Sequence, residues 1–77
     1  MNKQRRAEID RIRCELGRLL SEVETIHTQE EDYYDNMPES FQNGEKGEKV
    51  QACVDSLQEA IDGIAAADEA LNQAVGD

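Results

Sequence analysis

Cys14, Cys53 and His27 are the side chains of this sequence best suited to nucleophilic, redox or metal chemistry, with Ser21 and Thr28 as weaker nucleophiles. A nucleophile needs a base and an orienting group converging on it. His27 falls on a different helical face from Ser21 and Thr28, so no such group forms. With one histidine in the chain and no close Cys/His spacing, a zinc site is not expected. On two helices folded back on each other the cysteines lie roughly 20 Å apart, too far for a disulfide. They read as free thiols of a reducing compartment. Asp32, Asp35 and Asn36 lack the alternating ligands, central glycine and closing glutamate of a calcium loop. The expectation is therefore no enzyme, no catalytic residue, no cofactor and no metal.

Recognition chemistry remains. Glu30, Glu31, Asp32 and Asp35 crowd one segment and interleave with Tyr33, Tyr34, Met37 and Phe41. Acids set among aromatics make a plausible docking surface for a basic protein groove. The structural alternative is that Tyr33, Met37 and Phe41 close the end of a hydrophobic core while the acids stay solvated. The two are compatible, because a packed loop can also be a recognition loop.

The elements that carry this segment are two heptad stripes. The first runs Ile9, Ile12, Leu16, Leu19, Val23, Ile26; the second runs Val50, Val54, Leu57, Ile61, Ile64, Leu71, Val75. Alternating steps of three and four keep one helical side apolar and favour helix pairing. With Ile9 at position a, Ile12, Leu19, Ile26 and Tyr33 fall at d. In the second stripe Val54, Ile61 and Val75 are a, and Val50, Leu57, Ile64 and Leu71 are d. The spacing predicts a helix over 3–34, a linker over 35–44 and a helix over 45–75, all in one domain, 1–77. Pro38 ends the first helix by forcing its predecessor out of helical geometry. Residues 39–42 can add one turn, Asn43 can cap the second helix, and Gly76 stops it.

The predicted fold is all-α: an antiparallel, coiled-coil-like two-helix hairpin. It pairs Ile26 with Val54, Leu19 with Ile61 and Leu16 with Ile64. Two carboxylates interrupt the stripes at a, Glu30 near Lys49 and Asp68 near Arg11 and Arg13. Polar residues at such positions fix register, unless they simply reach solvent. Leu20 widens the first stripe, and Ala60, Ala67 and Ala74 flank the second, letting a further helix approach. A 77-residue chain in two helices has a marginal core. Ordering costs about 1.5 kcal/mol per residue, and full burial of a stripe side chain returns roughly 1.5–3 kcal/mol. A homodimeric four-helix bundle would supply the missing contact.

Charge is uneven. The net value is −10, yet residues 3–18 hold six basic side chains against three acids. Beyond Arg18 there are fifteen acids and only Lys46 and Lys49. Folding back lays Asp62, Asp68 and Glu69 along the basic half, which favours the antiparallel hairpin. Direct nucleic-acid binding is not favoured: Arg5, Arg6, Arg11 and Arg13 come with no stacking aromatics and no base-reading motif. No stretch approaches the ~20 apolar residues of a membrane span, and no apolar signal core is present. The expected setting is cytoplasmic.

Residues 30–42, Glu-Glu-Asp-Tyr-Tyr-Asp-Asn-Met-Pro-Glu-Ser-Phe-Gln, followed by Gly44-Glu45-Lys46-Gly47-Glu48, resemble a pattern in short, uncharacterised acidic helical proteins of bacteria, phages and mobile elements. The resemblance covers the middle third of the chain and does not include the N-terminal arginines. It implies a bacterial or phage setting and a loop kept for shape or recognition, and it carries over no catalytic residue.

Two functions follow as expectations. One is a non-enzymatic interaction or scaffolding module that self-associates through its stripes and meets an unidentified protein at the Tyr33–Phe41 segment. The other is an acidic phage-type inhibitor that occupies the nucleic-acid-binding groove of a host protein.

Overall fold

Asn2 starts the first helix by accepting a hydrogen bond from the Arg5 backbone N–H at 2.8 Å, the usual satisfaction of a free helix-end donor. The computed structural model describes residues 1–76. In it α1 spans Lys3–Asp35, α2 Glu39–Gln42 and α3 Glu45–Val75, with no strand among the described residues. α1 and α3 run antiparallel along their length, giving a rod of 58 × 15 × 12 Å. The all-helical hairpin expected from the stripes is the fold.

Local chemistry sets the ends. Asn36 closes α1, its backbone N–H reaching the Asp32 carbonyl at 3.0 Å and its side-chain amide reaching the same oxygen at 2.8 Å. Pro38 then forbids a further turn. Asn43 does not cap α3, contrary to expectation: it closes α2, donating to the Glu39 carbonyl. The short α2 turn uses up Asn43, and Gly44 takes the cap position of α3 with no side-chain bond. Glu45 and Glu48 occupy the first turn of α3, where the helix dipole favours negative charge.

The seam between the helices is rotated on α1. On α3 the half-buried and buried residues are Gly47 together with those read at a and d: Val50, Val54, Leu57, Ile61, Ile64, Asp68, Leu71 and Val75. On α1 they are Arg6, Ile9, Arg13, Leu16, Leu20, Val23, His27, Glu30 and Tyr34, positions a and e. The d row, expected in the seam opposite Val54 and Ile61, faces out. The reason is width. Apolar side chains at a, d and e span more of α1 than one neighbouring helix can cover, and the Arg13–Asp68 contact holds the e row inward.

Val54, 7% exposed, is the one buried apolar side chain among the described residues. The rest of the seam is half-buried. At about 1.5 kcal/mol lost for each ordered residue, such a core leaves an isolated hairpin marginal.

Candidate interaction surface

α1 sets its a row and its mixed e row against α3. The apolar d row is Ile12, Leu19, Ile26 and Tyr33, exposed to 39, 40, 48 and 46%. In an antiparallel pair, the α1 row on this side of the seam flanks position g of α3. That row reads Lys46, Cys53, Ala60, Ala67 and Ala74, every member exposed. Lys46 verifies the geometry: its Nζ lies 6.0 Å from the centroid of the Tyr33 ring and 5.9 Å from that of Phe41. One broad face of the rod therefore joins large apolar residues of α1 to small ones of α3. The opposite face carries Asp10, Gly17, Glu24 and Glu31 of α1 with Gln51, Gln58, Ala65 and Asn72 of α3, all exposed.

At the closed end, backbone fits against backbone. Gln42 Nε2 donates to the Tyr34 carbonyl at 2.8 Å, tying α2 to the end of α1. Gly47 is buried beneath α2. A Cβ there would meet the Phe41 carbonyl oxygen at 2.5 Å, with the Gln42 carbonyl nearer still. Only glycine admits this approach.

At the open end, arginines hold the chain together. Arg13 Nε donates to Asp68 Oδ1 at 2.9 Å, and Nη1 to Asn72 Oδ1 at 2.9 Å. The hydrogen bond to Asp68 makes the Arg13 guanidinium more basic than usual. Arg6 Nη1 donates to the Val75 carbonyl at 3.2 Å, satisfying an acceptor at the end of α3. Arg18 instead bridges Glu15 at 3.0 Å and Glu22 at 3.5 Å on its own helix, and the bond to Glu15 raises its basicity.

The eight residues singled out at the acidic segment do not form one surface. Tyr33 and Phe41 sit together around Lys46 on the apolar face. Glu30, Tyr34 and Met37 are half-buried. Glu31, on the polar face, lies 3.2 Å from His27 Nδ1, while Asp32 and Asp35 are exposed. Of the assembly residues, Ile9, Leu16, Val23, Val54, Leu57, Ile61, Ile64, Leu71 and Val75 line the seam, and Ile12, Leu19 and Ile26 lie outside it. Arg13, Gly47 and His27 pack in the seam although the heptad stripes do not include them. Gly47 had a signal, since it stands one heptad before Val54. The e row had little, because Arg13 and His27 interrupt its apolar character.

Cys14 and Cys53 are exposed free thiols. No group of three or more His, Cys, Asp or Glu side chains is placed to hold a metal among the described residues. None of the described helices is long and apolar enough to cross a membrane.

Fold and surface together define a two-faced helical hairpin, with one apolar broad face and one polar. The chain matches no family model, no curated protein and no solved structure.

Proposed function

We propose that this chain is a non-enzymatic interaction module that self-associates through its apolar face, forming a four-helix bundle that scaffolds or regulates a partner protein. The observation that carries the reading is the exposed row Ile12, Leu19, Ile26 and Tyr33, repeated every seven residues beside a row of alanines. Scattered exposed apolar residues are ordinary, but a continuous patch marks a contact surface. The thin seam adds weight, because burial of this face supplies what one helix pair lacks.

Sedimentation equilibrium tests it. The parent chain should sediment as a dimer and the Leu19→Asp/Ile26→Asp variant as a monomer, with Glu24→Gln on the polar face unchanged. A monomeric parent across the micromolar range, with full helicity, would sink the proposal.

A second reading, the acidic inhibitor of a nucleic-acid-binding groove, draws on the hairpin tip. There Asp32, Asp35 and Glu39 are exposed and make no salt bridge among the described residues. Its test is capture of a nucleic-acid-binding protein at low salt that is lost at high salt and after charge reversal of Asp32 and Asp35.

A further inference from the structure

Resting on the self-association reading, we infer that the second copy lies antiparallel on the apolar face: α1 against α1, α3 against α3, and the two tips at opposite ends. A two-fold arrangement can bring apolar faces together in two ways. One stacks α1 on the partner's α3 with the tips side by side. The other stacks like helix on like helix with the tips apart. The charge along α1 separates them.

Residues 3–18 of α1 carry six basic side chains against three acids, whereas 19–35 carry Glu22, Glu24, Glu30, Glu31, Asp32 and Asp35 with no lysine or arginine. Antiparallel α1 helices place each basic half beside the other copy's acidic half. Arg5 and Arg11 have no acidic partner within their own chain among the described residues, so they are free to act between copies. The side-by-side arrangement would instead press two acidic tips together. With a rod 58 Å long, opposite ends lie far beyond the ~8 Å screening length of physiological salt.

Packing agrees with this arrangement. The large row is symmetric about a point between Leu19 and Ile26, so a two-fold there sets Leu19 against Ile26 and Ile12 against Tyr33. On α3 this two-fold falls between Cys53 and Ala60, two small residues that let the α3 helices approach closely. A face 58 Å by 15 Å offers an area of the order of the roughly 800 Å² that each partner buries in a standard stable interface.

The experiment is a distance measurement on the full chain. Cys14→Ser and Cys53→Ala remove the native thiols, and Asn43→Cys carries a nitroxide at the exposed tip. Pulsed dipolar spectroscopy is paired with sedimentation of the same labelled sample. A dimer with labels ~40 Å or more apart, the span set by the helical rise from the two-fold to each tip, is expected. A dimer with labels within ~25 Å, as neighbouring helices would place them, overturns the orientation while leaving self-association standing. A monomer without intermolecular coupling overturns both. Ser40→Cys, also exposed, repeats the measurement if the first label loosens the turn.

Discussion

The two ends of the hairpin are closed by different physics. At the open end, guanidinium groups of α1 reach across to Asp68, Asn72 and the Val75 carbonyl of α3. At the tip, the chain closes by shape, with Gly47 lying directly under the carbonyls of Phe41 and Gln42. Long charged side chains can hold a contact through many small adjustments, and salt weakens them. A close backbone approach adjusts little and is indifferent to salt. The tip therefore sets the register, and the open end secures it.

The largest effect should come from one added methyl group at the tip. Gly47→Ala forces α2 away from α3, and overpacking of this kind costs about 1–3 kcal/mol. In a chain of this size each kcal/mol moves the thermal midpoint by roughly 4–8 °C. Circular dichroism should record that fall equally in low and high salt. Gly63→Ala is the control, since its Cβ would meet nothing within 4 Å. Equal changes at Gly63 and Gly47 would show that the tip is not closed by shape.

A smaller, salt-dependent effect should mark the open end. Arg13→Ala removes the bonds to Asp68 and Asn72 and leaves a carboxylate at a seam position. Arg13 and Asp68 are partly exposed, at 30 and 37%, so screening moderates the pair's strength. The midpoint should fall less than for Gly47→Ala, and the gap from the parent should narrow as salt rises. A gap unchanged between low and high salt would assign Arg13 a packing role through its aliphatic stem.

These regions also show what a sequence of this kind exposes to reading. The heptad spacing of α3 located its seam, because Val50 to Val75 offers a single apolar face. α1 was ambiguous. Ile12, Leu19 and Ile26 form a cleaner apolar row than Arg13, Leu20 and His27, yet the mixed row meets α3. Periodicity reports which residues avoid water, not which neighbour covers them. A helix with more apolar surface than one neighbour can cover leaves its seam ambiguous in one stripe. The Asp68 position hinted at the choice, since a carboxylate in the seam needs a cation opposite, and Arg13 supplies it. Gly47 was half-legible for a different reason: its heptad position, seven residues before Val54, marks it for the seam, but the need for glycine comes from the carbonyls of Phe41 and Gln42 in α2 lying directly above it, which periodicity does not show. Of the acidic segment, the sequence located the tip, but helix rotation then sent Tyr33 and Glu31 to opposite faces.

The smallest expected change sharpens the contrast from the other side. Gly17 and Gly63 lie within long helices, and a Cβ built at either meets nothing within 4 Å. Neither takes a positive φ, so alanine fits the backbone each already has. Replacing both should raise stability by up to about 1 kcal/mol each, the helix-propensity difference between the two residues. Gly17 stands on the polar broad face, away from the proposed interface, so the gain should appear without any change in assembly state. Gly→Ala would then stabilise at two helical positions and destabilise at Gly47, within one chain and with the same added methyl group. A loss of stability at Gly17 would mean that its open face is covered in solution, placing a second contact surface on the polar side.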